Sequence, residues 1–303
     1  ALTLANGIFY AEEAVKSGLE IDDFAPRMSF FFGCHNDFFE EISKFRAARK
    51  LWYELINERF EPKNPKSSQL RFHTQTAGVT LTAQQPMNNT VRVSYQALSA
   101  VLGGTQSLHT NSYDEAIGLP TDESVKIALR TQQIIASETG VADVVDPMAG
   151  SYHVEEMTAS IKENARKLID EIESKGGVLD CLKLGFQQKM IHDSAWKEIN
   201  DIEEKKLLVV GVNSNIEDEE ELNLGMKIDS TNEKKQVTKL EKFKLRRDEV
   251  AVKETLRKLQ NTCEGTENIM PPLIEALKIG ATVGEVNGVM REVFGTWVSP
   301  SGV

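Results

Sequence analysis

Cysteine is scarce in this chain. Cys34, Cys181 and Cys263 are its three thiols, far apart and without a Cys-x-x-Cys pair. That spacing offers no zinc site and fits reduced thiols in a cytoplasmic protein. No apolar run approaches the ~18–20 residues that span a bilayer, and no signal peptide opens the chain. Basic residues are outnumbered, 35 against 46 acidic, for a net charge of −11. This balance argues against a nucleic-acid surface. It also leaves any phosphate-rich ligand to be held by local basic groups. His-Glu-x-x-His, His-x-x-x-His, Gly-x-Ser-x-Gly and Gly-x-Gly-x-x-Gly are all missing. Metal binding by this chain and nucleophilic catalysis are therefore poorly supported. Internal repeats and Pro-rich or Gly/Ser-rich tracts are missing too. The first residue is Ala1 rather than an initiator Met, a start that reads as a truncation or a processed fragment.

What is present is an ordinary globular balance, with 40% hydrophobic and 27% charged residues. Leu2–Lys16 carries Leu4, Ile8, Ala11 and Val15 on one helical stripe. The run Phe24–Phe32 reads as a strand after Pro26. Asn36 or Asp37 caps a helix to about Arg59. Gln69–Thr76 reads as a second strand, and Asn88 or Asn89 caps a helix to Leu102. Thr105–Asn111 reads as a third strand, with a helix from Thr121 to Glu138. Crossovers of this length make the strands parallel, and the alternation indicates an α/β fold. The pattern then changes. Residues 152–206 read as two helices split at Gly176-Gly177, and Leu207–Val212 as a short strand or extended segment. Residues 213–235, with the acidic run at 217–221, read as a linker, and the remainder as a helical tail. The expected division is 1–206 and 207–303.

These strands are unusually polar for a parallel sheet, whose strands normally read as apolar runs. Alternation puts Arg71, His73 and Gln75 on one face of the second strand. It puts Thr105, Ser107, His109 and Asn111 on one face of the third, and Arg27 with Ser29 on one face of the first. Buried polar groups without partners cost about 1–3 kcal/mol each. A ligand lying against that face would offset the cost, and Gln75, Gly78 and Asn111 fall at strand ends, where barrel sites lie. For His73 or His109 taken singly, a structural hydrogen bond is as good a reading. Gly103-Gly104 reads equally well as a helix stop.

Several of these runs resemble one family. They are Phe24-Ala-Pro-Arg-Met-Ser-Phe-Phe-Phe32, Lys44–Trp52, Arg71-Phe-His-Thr-Gln-Thr-Ala-Gly78 and Gly103-Gly-Thr-Gln-Ser-Leu-His-Thr-Asn111. With them go Asp114–Ala116, Leu119–Thr121, Asp146–Tyr152, Val209–Asn213 and Ala281–Glu285. Together, in this order, they are similar to the catalytic subunit of the methylmalonyl-CoA mutase family. The resemblance implies the last three or so βα units of a TIM (β/α)8 barrel, followed by a mainly helical region. It implies an isomerase that interconverts methylmalonyl-CoA and succinyl-CoA by a radical route, with adenosylcobalamin as cofactor. By the same resemblance Arg27 and Ser29 contact the acyl-CoA, and Gln75 and Gln106 line the reactive pocket. Gly78, Glu115 and Gly118 meet cobalamin and its adenosyl group, and Asn111 and Glu115 bond the adenosyl ribose. Relatives can carry Ala where Gly118 stands.

The family's first five strands and its Asp-x-His-x-x-Gly cobalt-ligand motif have no counterpart here. The resemblance therefore implies two partners: an N-terminal barrel half and a cobalamin-binding domain or small subunit. Nucleic acid and membrane are not expected partners. A sister acyl-CoA mutase of the isobutyryl-CoA type, or a non-catalytic assembly subunit, are the alternative readings.

Overall fold

The structure, a computed structural model, describes residues 1–218 and 230–300. It divides into two compact units, Ala1–Met226 and Lys227–Ser299. The first is α/β. Helix α1 (Leu2–Lys16) and the short α2 (Ile21–Phe24) lead through a 3₁₀ turn, Ala25–Arg27, into β1 (Phe30–Cys34). Helix α3 (Phe38–Phe60) returns the chain to β2 (Phe72–Thr76), and α4 (Asn88–Leu102) returns it to β3 (Ser107–His109). Next come α5 (Asp122–Glu138), α6 (Tyr152–Ser174), α7 (Gly177–Lys183) and α8 (Phe186–Glu203). The strands are parallel in the order β1-β2-β3, with Phe30 opposite Phe72 and His73 opposite Ser107.

Helix α3 begins where expected. The Asp37 side chain accepts a hydrogen bond from the Glu40 N–H, supplying one of the acceptors a helix start lacks. Its buried stripe (Ile42, Phe45, Leu51, Trp52, Leu55) packs beneath the sheet. Phe45 stacks on Phe72 at 5.3 Å, and Trp52 meets Phe30 edge-on at 4.7 Å. On its outer side α3 is tied to α6 by ion pairs, Glu54 with Lys162 (2.7 Å) and Glu58 with Arg166 (2.7 Å).

Several expectations need correction. The first strand starts at Phe30, so Arg27 and Ser29 precede it and share no strand face. Proline's fixed φ suits a helical first turn as well as an extended chain. Here Pro26 lies in the 3₁₀ turn, and the neighbouring Asp22 binds the Lys63 and Asn64 N–H groups and the Ser67 hydroxyl. The third strand is three residues long. Thr105, outside it, bonds the buried Thr74 hydroxyl at 2.8 Å and so lies on the helix side. Residues 152–206 hold three helices, because Gly185 (φ +73°) breaks the chain as Gly176 and Gly177 do. Leu207–Val212 is no strand. Gly211 turns at φ +87°, and the Asn213 side chain collects the Val209 N–H and the Ile202 and Leu207 carbonyls.

That segment is bound to the first unit: Arg92 donates to the Val210 carbonyl and Gln85 to the Asn215 carbonyl, both at 2.8 Å. The unit accordingly continues past residue 206. Residues 219–221 of the acidic run lie outside the described residues. No helix among the described residues is long and apolar enough to cross a membrane.

The second unit is helical: α9 (Ser230–Arg246), α10 (Glu249–Cys263), α11 (Met270–Ile279) and α12 (Val283–Phe294). Helices α10–α12 share a core of Val252, Leu259, Cys263, Ala276 and Val286. One ion pair pins their ends. Arg247 bonds both Glu285 oxygens (2.5 and 2.7 Å) and the Gly280 carbonyl, while Thr282 and Glu285 form a capping box. Arg247 holds the Glu285 carboxyl down to about 2. A depressed carboxylate stabilises the fold above its unfolded pKa, and that contribution is lost as pH falls through the folded value. The pair should thus contribute about 1–3 kcal/mol above roughly pH 4.5, declining toward pH 2. Hydrogen exchange of α10 and α12 amides checks this. Glu285→Gln should raise their exchange at pH 6 and flatten its dependence on pH below 4.5.

Candidate functional site

The two faces of the sheet differ in kind. Toward the helices point Phe30, Phe32, Phe72 and Thr74. On the open face the register aligns Phe31 with His73 and Ser107, and Gly33 with Gln75 and His109. Phe31 is 57% exposed there, its ring 5.0 Å from that of His73. His73 Nδ1 and Ser107 Oγ are 2.7 Å apart.

At the strand ends Gln75 Nε2 donates to Asn111 Oδ1 (2.8 Å), and Asn111 N donates to Thr76 Oγ1 (2.9 Å). Asn111 is 2% exposed, and its Nδ2 has no partner among the described residues. That orphan donor lies against Gly78. A Cβ on Gly78 would stand 2.8 Å from Asn111 Nδ2 and 3.4 Å from Glu115 Oε1. Gln75, Gly78, Asn111 and Glu115 therefore converge. Gly118 closes the next turn, its N–H on the Asp114 carbonyl.

The other predicted residues lie at the opposite end of the sheet. Arg27 and Ser29 are exposed just before β1. Gln106, just before β3, bonds the backbone of the neighbouring chain: its Oε1 accepts from the Phe72 N–H (2.7 Å) and its Nε2 donates to the Leu70 carbonyl (3.3 Å). It thus extends the ladder by a side chain rather than joining Gln75 at the strand ends.

Sequence reasoning passed over the residues that hold this mouth. Asn89, read there as a cap, lies inside α4 and is fully buried. Its side chain bonds the Thr82 N–H and the Thr82 and Tyr113 carbonyls, joining the loops after β2 and β3. Asp114 is also fully buried. It accepts from the Thr121 N–H (3.1 Å), and its second oxygen has no partner among the described residues. The Asn88-Asn89 pair was the available signal for the first of these. Cys34 bonds the Gln96 carbonyl and Ser99, and burial pushes its thiol up to about 12, so it is no nucleophile.

The comparisons bear on this arrangement. A family profile described as methylmalonyl-CoA mutase matches residues 1–296. The 2-hydroxyisobutanoyl-CoA mutase large subunit of Aquincola tertiaricarbonis is 44% identical over 299 residues, covering 98% of this chain and 53% of that protein. The methylmalonyl-CoA mutase of Escherichia coli is 42% identical over 302 residues, covering 99% and 42%. The mitochondrial enzyme of Homo sapiens is 43% identical over 297 residues, covering 97% and 40%. This chain spans about half, or less, of these relatives' length. With a family profile along nearly its whole length and a polar sheet face ending in the Gln75–Asn111 cluster, the chain belongs to the methylmalonyl-CoA mutase family.

Proposed function

We propose that this chain forms the last three βα units of an acyl-CoA-binding TIM barrel and the helical region that follows. Joined by an N-terminal barrel half and a cobalamin-binding domain or small subunit, it interconverts methylmalonyl-CoA and succinyl-CoA by carbon-skeleton rearrangement. The observation that carries the reading is the open sheet face. It runs from Phe31, His73 and Ser107, past Gln75, to Asn111 and Gly78 at the strand ends. A long polar ligand laid along the strands would satisfy it end to end. Three strands cannot close a barrel, which is why partners are part of the proposal.

The residues fit adenosylcobalamin at the strand ends. The Asn111 Nδ2 donor lacks a partner, and Gly78 keeps its backbone bare against Asn111 and Glu115. Gly78, Asn111 and Glu115 would hold the group, with Gly118 in the turn beyond. When bound it supplies homolytic cobalt–carbon chemistry, the part that the cofactor brings and the protein shields. The chain's own work is to bind, orient and exclude water. Asn111 would donate to the ribose and Glu115 would accept from it, while Gln75 fixes the Asn111 carboxamide. Arg27 and Ser29 hold the CoA end. A sister acyl-CoA mutase is the second reading, because the 2-hydroxyisobutanoyl-CoA relative matches as well as those named for methylmalonyl-CoA. Turnover of both thioesters by the completed enzyme separates the two.

Two predictions test the assignments. In the completed enzyme, Glu115→Gln should lower kcat by about one to two decades with KM for acyl-CoA nearly unchanged, because a bond to a charged group is worth about 1.5–3 kcal/mol. Arg27→Ala should raise KM and spare kcat. Steady-state kinetics decide, and an unchanged kcat in Glu115→Gln removes the ribose role. Separately, Gly78→Ala drives a methyl into Asn111 Nδ2. Urea melts of Gly78→Ala, Asn111→Ala and the double variant should be non-additive, the pair costing about 0.5–3 kcal/mol less than the sum. Strict additivity would mean the two do not touch.

A further inference from the structure

We propose that Asn89 is a positioning residue for Glu115, setting the spacing of the two turns that would hold an adenosyl group. This rests on the adenosylcobalamin reading above and names the residue through which that grip is held. The Glu115 side chain is exposed and makes no hydrogen bond or ion pair among the described residues. Its place over Gly78, where a Cβ would stand 3.3 Å from Glu115 Cγ, is therefore set by its backbone. That backbone is a tight turn. The Glu115 N–H donates to the Ser112 carbonyl (3.1 Å), and the Ile117 and Gly118 N–H groups donate to the Asp114 carbonyl (2.9 and 3.1 Å). Gly78 opens a turn of its own, with the Leu81 N–H on the Gly78 carbonyl at 3.0 Å. No backbone–backbone hydrogen bond joins the two turns among the described residues.

Asn89 supplies the link. Its Nδ2 donates to the carbonyls of Thr82, just beyond the Gly78 turn, and of Tyr113, inside the Glu115 turn, both at 2.8 Å. Its Oδ1 accepts from the Thr82 N–H (3.1 Å) and from Arg92 Nη1 (2.8 Å). A carboxamide has two donors and two lone pairs, so this one is saturated. Its orientation is fixed as well, because a guanidinium only donates and must face the oxygen. Arg92 is itself anchored on Thr82 Oγ1 (3.0 Å) and the Val210 carbonyl (2.8 Å). Asn89 is fully buried, and a buried amide costs stability unless all its bonds are made. An apolar side chain would fill the space without that demand. What the amide adds is a fixed spacing between the turns, and a binding constellation tolerates only about 0.5 Å of error.

The test uses the completed enzyme carrying Asn89→Asp and Asn89→Ala. Aspartate has the same shape and keeps the oxygen that meets Arg92 and the Thr82 N–H. It loses the two donors to Thr82 and Tyr113. Dissociation constants are measured by absorbance titration for adenosylcobalamin and for hydroxocobalamin, which lacks the adenosyl group. A hydrogen bond to a charged group is worth about tenfold or more in binding. Both variants should weaken adenosylcobalamin about tenfold, with hydroxocobalamin shifted by less than about twofold. In a Glu115→Ala background the same changes should move adenosylcobalamin by less than about twofold, since Asn89 acts through Glu115. Unchanged hydroxocobalamin binding also reports an intact site, and Asn89→Asp alone decides if the Ala variant melts low. Equal weakening of both cobalamins, or of neither, overturns the positioning role and leaves the cofactor reading intact. An undiminished loss in the Glu115→Ala background overturns it too. Failure of the unmutated enzyme to bind either cobalamin overturns that reading, and the proposal with it.

Discussion

The structure depends on one constraint, the register that locks β1 to β2 and β2 to β3. Because side chains alternate along a strand, a one-residue slip would turn every inward group outward. Phe30, Phe32 and Phe72 hold the register from the helix side, where they close on Phe45 and Trp52. The apolar face thereby decides where the polar one points. His73, Gln75 and Ser107 share the open face because Phe72, Thr74 and Leu108 are held on the other. The packing core and the candidate site are two faces of one ladder.

The mouth extends that ladder by side chains. Thr76 and Gln75, the last residues of β2, both reach Asn111, so the loop after β3 is fixed by the strand beside it. Asn89 then binds the two loops to each other, and Asp114 binds the second loop to the start of α5 through the Thr121 N–H. Buried hydrogen bonds of this kind contribute about 0.5–1.5 kcal/mol each when made and cost more when one partner is removed. Against that background two buried atoms of the mouth stand out, Asn111 Nδ2 and Asp114 Oδ1, which have no partner among the described residues.

Much of this was legible because local rules and tertiary structure agree. The α3 stripe, the Asp37 and Thr121 caps and the parallel order follow from spacing and capping chemistry. The convergence of Gln75 with Asn111 follows from strand ends. What failed was local reading where distant residues decide. Pro26 tolerates a turn as well as a strand, and Asp22 selects the turn. Gln106 looked like a lining residue, yet its amide serves the β2 backbone. Three motifs that carried the family resemblance are anchors. Asp146 is clasped by Arg46, Asn213 ties its own turn, and Glu285 caps α12 while pairing with Arg247. A run can thus be shared across a family for packing reasons, so each residue's role has to be read from its contacts.

The free edge of β1 shows how this sheet is kept from indiscriminate pairing. Phe30 N–H donates to Arg71 and the Cys34 carbonyl accepts from Ala77, so the even-numbered groups of β1 serve β2. The backbone groups of Phe31 and Gly33 face the other way. At that edge Lys44 Nζ takes the Gly33 carbonyl at 2.8 Å and is held there by the buried Glu41. A lysine on an exposed edge discourages pairing with stray strands, because a newcomer must displace or bury a charge. A strand that completes the barrel would meet the same demand. It must offer an N–H for the Gly33 carbonyl and leave Lys44 paired with Glu41, so the ion pair selects for register as well as guarding the edge.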